Sequence, residues 1–561
     1  MKTVKKIILI AGIAAAAASC NDFLDLQPTD AVTDRLMWSK PEYAELYVNS
    51  FYTYIHDYGQ FYDNASSAMQ CAYGITEGLT DMMKYAPGKD NSTGIHHGQM
   101  NQFVYGETGT TAASFAFYLS NWSGAYEQIR RINEFLYSMH QYAEFDPEDV
   151  TRFEAEARFF RGMVYYELAK RYHRVIVYPE NMLEYAKDTP LDTEVDTWNM
   201  VEDDLTFAAK NLPPTWSGDD AGRVTSYAAW ALLSRAMLFA GRWDVVKTAA
   251  EEVKKGGFTL LPGTTSEEYA KAFSTTALNG NTESILDYSY QHGTLDHNFD
   301  YYFSPFGDSE TNARGLGNPT QELVEEYEYA GGGEVDWSPW HVAGGTTDTP
   351  PYDRLEPRFG ATVLYNGASW KDRTIETFEG GADGWITPGT VNTNGKTTTG
   401  YYLRKLVDET HTDLVSTKSS HPWVMIRYAE VLLNEAEAAY HLSDEGTANS
   451  CIKEIRGRVG LPYTNQSGTA LWNAIRKERK LELAFEGHYF WDMLRWGVFV
   501  EEQNGTTVHG FHITKEGADT RYEYIDCDEA KRSFTDRIYQ CPLPEGELNN
   551  NKAVQQFQEW L

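Results

Sequence analysis

Apolar residues recur at three- and four-residue spacing in three zones of the chain, the period that marks amphipathic helices. In the first zone Pro41–Tyr58 and Phe115–His140 read as helices, and Trp122, Tyr126, Ile129, Ile132 and Leu136 share one side of the second. The next zone opens with Pro147–Tyr172, where Ala155, Phe159, Gly162, Tyr166 and Ala169 define a close-packing face. It continues through Trp198–Leu212, Thr225–Gly241 and Trp243–Lys255, with Gly256-Gly257 closing the last helix as C-terminal caps do. The third zone, Pro422–Gly497, holds two long runs. Ile426–Asp444 sets Ile426, Ala429, Leu433, Ala436 and Tyr440 on an apolar face and Glu430, Asn434, Glu435 and Glu437 on the other. Ile475–Gly497 places Arg476, Lys477, Glu478, Arg479, Lys480 and Glu482 ahead of Phe485, Tyr489, Phe490, Trp491 and Trp496. Mixed charges at this spacing predict a helix laced by its own side-chain pairs.

Between these zones the period fades. Residues 58–109 and 257–421 are punctuated by Gly331-Gly332-Gly333, Gly344-Gly345, Pro350-Pro351 and Gly380-Gly381, yet remain rich in Tyr and Trp. The expected fold is mostly α: a helical scaffold over 40–57, 115–255 and 422–497, with a loop-rich, irregular half over 58–109 and 257–421, the kind of surface sequence that carries function more often than a scaffold does. The run YAAWALLSRAMLFAGRWDVVKTAAEEV has the small-residue and aromatic alternation of a tetratricopeptide repeat.

The N-terminus changes the picture of where the protein works. Lys2, Lys5 and Lys6 precede an apolar run, Ile7–Ala18, and small residues lead into Cys20. The run is too short to span a bilayer, so residues 1–19 read as an export signal. A cysteine directly after it reads as a bacterial lipidation site, although Ala17 stands where the usual motif has Leu. Several acyl chains on Cys20 would hold the body, 20–561, stably on a membrane. A formal charge of −33, from 48 basic and 81 acidic residues, argues against nucleic acid and sulfated polysaccharide as partners. Of five cysteines, Cys527 and Cys541 are the expected disulfide pair if one forms. No cofactor motif is present, and no His/Cys cluster has metal-ligand spacing.

Read as letters, IRYAEVLLNEAEA followed by RKERKLELAFEGHYFWDMLRWG resembles the paired C-terminal signature of the SusD/RagB family, surface glycan-binding lipoproteins of Bacteroidetes. NDFLDLQPTD after Cys20, RFFRGMVYYELAKRYHRVIVYPE, YDRLEPRF, GYYLRKL and the closing IYQCPLPEGELNNN resemble further landmarks of that family. The resemblance implies a tetratricopeptide-like scaffold of about four helix pairs, display on the outer face of the outer membrane, and a SusC-like TonB-dependent transporter as partner. It also implies an oligosaccharide ligand and no chemistry on it; the charge balance favours a neutral glycan. A lipid-anchored glycoside hydrolase and a peptide-binding member of the family are the competing readings.

Sugar recognition needs flat aromatic platforms with a few polar groups beside them. The loop zones offer Asp81, Lys84 and Tyr85 from the first, and Tyr290, His292, Trp337, Trp340 and Trp370 from the second. Trp337 and Trp340 lead, because their Gly/Asp/Ser/Pro setting offers little local core. Trp122, Trp230, Trp243, Trp491 and Trp496 lie on helical faces and read as packing. No nucleophile elbow, P-loop, dinucleotide fingerprint or HExxH occurs. Glu478, Glu482 and Glu486 share one helix face, where neighbouring Arg479 and Lys480 favour structural pairing over catalysis.

Overall fold

The computed structural model describes residues 37–61, 76–86, 104–106, 119–181, 184–309, 315–387 and 396–561. Cys20, the export segment, Cys71 and His96-His97 lie outside them. After a short helix α1, Pro41–Asn49, eight long helices pack in succession: α2, Trp122–Tyr142; α3, Pro147–Tyr172; α4, Glu194–Asn211; α5, Ser226–Phe239; α6, Trp243–Lys254; α7, Tyr428–His441; α8, Glu445–Arg458; and α9, Gly468–Glu482. Taken two at a time they make the four expected pairs. A shorter helix α10, Tyr489–Arg495, follows.

Local chemistry sets the helix ends. Thr193, Thr225 and Asp444 accept hydrogen bonds from N–H groups in the first turns of α4, α5 and α8, which satisfies donors a helix start leaves bare. α3 starts at Pro147 with Glu148 and Asp149 and ends on Lys170 and Arg171, the charge order that suits its dipole.

The irregular half is threaded through this scaffold by short antiparallel ladders. β1, Met83–Tyr85, pairs with β3, Gly317–Pro319. β2, Ser284–Tyr288, pairs through an irregular register with β4, Trp423–Arg427. β5, His509–Glu516, and β6, Asp519–Asp526, form a hairpin. A strap, residues 331–349, is pinned near both ends. Gly332 has φ +100° and its Cβ position lies 2.6 Å from the Pro462 ring; Gly345 has φ +73° and its Cβ position lies 2.5 Å from the Tyr522 carbonyl. Thr346 then exchanges hydrogen bonds with Tyr522. Only glycine fits such left-handed close approaches.

Two expectations need correction, and the polar face of α7 acquires a role the helical period did not show. Ile426 belongs to β4, and the helix begins only at Tyr428, because Trp423, Val424, Ile426 and Arg427 are taken by pairing with β2. The polar side of α7 is not solvated: Glu430, Asn434, Glu435 and Glu437 are all buried. Arg235 grips Glu430 through two 2.6 Å bonds, Lys254 meets Glu435, and Arg495 meets Glu437. The charges of α9 also pair outward rather than along their own helix. Glu478 meets Arg358 at 2.8 Å and Arg456 at 2.6 Å, while Glu482 meets Arg427 at 2.6 Å and also Arg458. Glu486 meets Arg427 and Lys405, each at 2.6 Å. This lattice, together with Glu283 of the β2 end and Glu356 beside Arg358, ties the irregular half to the scaffold.

The cysteine expectation also changes. Cys451, Cys527 and Cys541 are buried free thiols. Cys527 is held at the hairpin by Val508, whereas Cys541 is held by Arg171 at the end of α3, so different elements fix the two.

Candidate ligand-binding site

The residues singled out from sequence separate into anchors and surface groups. Lys84 is buried on β1 and donates to Asp528 at 3.1 Å, Glu529 at 3.0 Å and the Tyr105 hydroxyl at 2.6 Å. Tyr85 is buried, with its ring 2.1 Å from where a Cβ on Gly78 would stand. Trp370 is fully buried and its indole N–H donates to both Asp308 oxygens. These three hold loops in place and offer no platform. Tyr290 is also buried, its hydroxyl 2.8 Å from His56 Nδ1 and its ring edge-on to His297. His292 is exposed on the tight turn between Gln291 and Leu295.

Trp337 and Trp340 do come together, rings 5.6 Å apart at 62°. Trp337 is the inner member, 5% exposed, contrary to its expected surface setting; the strap folds back and supplies the cover that local sequence lacks. Trp340 is half-buried and donates to the Asp348 carbonyl at 2.8 Å. Asp81 borders the same region, since Lys480 bridges Asp81 at 2.9 Å and Glu326 at 3.3 Å, and Glu326 and Trp337 line one cleft.

A cavity of about 660 Å³ lies elsewhere, within the size range of ligand pockets. It opens where the segment Thr53–Gln60, the start of α2, the end of α3, β4 and the turn into α10 converge. Tyr58, Trp122, Tyr166 and Trp491 supply aromatic wall. At the end of α3, Glu167 accepts from Lys170 at 2.8 Å and Arg171 at 2.5 Å, and both cations lie over the Trp491 ring. Burial pushes the Lys170 ammonium down to about 8, against the pull of Glu167. Asp57 is pushed up to about 6 by burial and is steadied by the Gln128 amide at 2.8 Å. Gln128 in turn accepts from the Tyr58 hydroxyl at 2.8 Å. Burial, helped by the nearby Arg235 and Arg479 guanidinium groups, pushes the His488 imidazole well below its ordinary value.

Among the buried residues lining this cavity, three carry a polar atom with no hydrogen-bond partner: Tyr54 (its hydroxyl), Gln60 (Oε1) and Trp423 (the indole N–H). Each residue is no more than 5% exposed. An unmade buried hydrogen bond costs about 1–3 kcal/mol, so a cluster of them beside aromatic rings is chemistry suited to a polyhydroxylated ligand. Sequence reasoning missed this site because GHYFWDM and NWSGAYEQ read as scaffold. Trp122 and Trp491 are indeed packed, and they also wall the cavity. The signal available was the density of polar residues around those tryptophans: Asn121, Gln128, His488 and Asp492. Among the described residues, no group of three or more His, Cys, Asp or Glu could hold a metal ion, and no helix is long and apolar enough to cross a membrane.

The fold and its cavities define a helical-repeat binding scaffold, and sequence comparison identifies its family. A profile of the SusD family matches residues 282–560, and a second, described as starch-binding associating with outer membrane, matches residues 26–238. The chain belongs to the SusD/RagB family. A SusD-like protein of Bacteroides ovatus is 23% identical over 523 residues, covering 88% of this chain and 82% of that one. A crystal structure of a SusD-like protein from Bacteroides fragilis superposes with a TM-score of 0.78 at 25% identity, covering 95% of this chain and 99% of that one. A SusD-like carbohydrate-binding protein from the same species gives 0.75 at 25% identity, covering 92% and 100%.

Proposed function

We propose that this chain is a cell-surface glycan-binding lipoprotein, anchored to the outer membrane through Cys20, that captures an oligosaccharide and delivers it to a SusC-like TonB-dependent transporter. The observation that carries the binding role is the 660 Å³ cavity, where buried polar atoms without partners stand beside Tyr58, Trp122 and Trp491. Sugar hydroxyls both donate and accept, so one ligand can serve the Trp423 N–H and the Gln60 carbonyl together. Trp340 with Trp337 beneath it extends the proposed ligand face. Capture requires no bond-breaking: Glu167, Glu486 and Asp492 in the cavity wall are each committed to cations. The carbohydrate-binding relative and the starch-binding profile support a sugar ligand.

Affinity electrophoresis and calorimetry against a panel of neutral polysaccharides test this reading. Binding that falls when Gln60→Ala or Tyr58→Ala is introduced supports it. Turnover of the panel would make the chain a hydrolase, and binding of oligopeptides with no glycan retained would make it a peptide importer. Co-purification with a TonB-dependent barrel tests delivery; capture of the glycan without such a partner would remove that half of the proposal.

A further inference from the structure

The second cleft, of about 530 Å³, lies under the strap and is lined by Glu325, Glu326, Glu334, Asp336, Trp337, His341 and Lys477. Its charge is unbalanced. Glu325 is met by His341 at 2.7 Å and Glu326 by Lys480 at 3.3 Å. The closest carboxylate to Lys477 is Glu328, at 4.0 Å. Among the described residues, Glu334 and Asp336 have no cationic partner, and Asp336 accepts only from Ser338.

A second observation is independent of the acids. Trp337 walls this cleft, is 95% buried, and its indole N–H has no acceptor. The strap that carries it is fixed at Gly332 and Gly345 by backbone approaches that allow no other residue. The cleft thus asks for two things at once: a positive charge for the carboxylates and an oxygen acceptor for the indole. A neutral sugar would leave the carboxylates uncompensated, and burying unpaired charge is costly. A simple ammonium ion would leave the indole unserved.

We infer that the strap cleft is a subsite for an amine-bearing sugar, a hexosamine unit with a free ammonium group, held by Glu334 and Asp336 with its ring against Trp337. The choice of a sugar over a lysine side chain rests on the glycan-binding reading above. The cleft would then select glycans that carry free amines, and the larger cavity would hold their neutral units. An N-acetyl group would abolish the charge and with it the recognition.

The test is calorimetric titration with a chitosan oligosaccharide, its fully N-acetylated counterpart, and a lysine-rich peptide. The expected result is binding of the chitosan oligosaccharide at least tenfold tighter than of the acetylated form, weakening as salt rises. The paired exposed variants Glu334→Gln and Asp336→Asn should weaken it about tenfold. Asp203→Asn with Asp244→Asn, which removes as much charge from exposed positions on α4 and α6, should leave it unchanged. Trp337→Phe, which keeps a ring but no N–H, should weaken it severalfold. Equal binding of both oligosaccharides, no effect of the Glu334/Asp336 pair, or tighter binding of the peptide would each overturn the inference. Loss of neutral-glycan binding in the Gln60→Ala variant with chitosan binding intact separates this subsite from the cavity proposal. Conversely, a neutral glycan that binds while chitosan does not would reject the subsite and leave the cavity reading standing.

Discussion

Two buried polar regions of the molecule differ in how their groups are matched. Around α9, Glu482 lies among Arg358, Arg427 and Arg458, and Glu486 between Arg427 and Lys405. Around the 660 Å³ cavity, the Tyr54 hydroxyl, Gln60 Oε1 and the Trp423 N–H stand without partners. The lattice has committed its charged groups to ion pairs that join the two halves of the chain. Even Glu482 Oε2 and Arg458 Nε, which accept or donate no hydrogen bond, belong to paired residues, whereas Tyr54, Gln60 and Trp423 at the cavity offer polar atoms with no partner of either kind. A buried polar group therefore reads as structural or as recognition chemistry according to what it already holds, and its residue type does not distinguish the two.

Removing a member of the lattice should give the largest effect. Glu482→Ala leaves Arg427 and Arg458 buried with reduced compensation, and loss of a buried partner costs about 3–5 kcal/mol; a urea titration should show the midpoint collapse or the chain fail to fold. Trp337→Ala belongs to the same class. It empties a buried indole site and should cost about 3 kcal/mol, whereas Trp340→Ala, half-buried, should cost roughly 1 kcal/mol or less by the same measurement while weakening glycan binding. Cavity variants should behave oppositely to lattice variants: Gln60→Ala and Trp423→Phe each delete an unpartnered atom, so stability should hold within about 1 kcal/mol while glycan affinity falls about tenfold in calorimetry.

Acid should act on the matched carboxylates first. Burial by itself would raise Glu437, but the Arg495 and Arg479 guanidinium groups hold it down at about 2; Glu482 is likewise held well below the ordinary value by Arg458, Arg427 and Arg358. Depressed carboxylates contribute stability that is complete above the ordinary value near 4.5 and is lost as pH falls through the folded one. Thermal melts should therefore be flat from neutrality down to about pH 5 in this respect and drop steeply between about 4.5 and 2, and Glu437→Gln should flatten that drop. The smallest effect is the expected null for thiols: reductant should leave the melting temperature unchanged, since Cys451, Cys527 and Cys541 are unpaired.

How much of this was readable from the letters depends on which force placed each residue. Ile129, Ile132 and Leu136 were placed by helical period alone, and the structure buries them together. Ile426 kept the same spacing but was taken by β4, because a strand partner 140 residues away in sequence is invisible to period. The period set Glu430 and Glu437 on the face opposite the apolar one and could not show what they meet, because their cations, Arg235 and Arg495, come from other helices. The site was less legible still. Trp337 sits in glycine- and proline-rich sequence that predicts exposure, yet the folded strap covers it. Lys84 and Trp370 have the composition of a sugar platform and serve as loop anchors. The cavity that better fits the role is assembled from ends of helices whose letters spell scaffold.

The two glycine pins of the strap have a consequence for how such a protein could diversify. Gly332 docks on the Pro462 ring and Gly345 on the hairpin backbone, and neither contact involves the residues between the two glycines. The strap is in effect a cassette in a fixed socket. A chimaera that keeps both pins and exchanges the intervening residues for those of a relative would inherit a new specificity without renegotiating the rest of the fold.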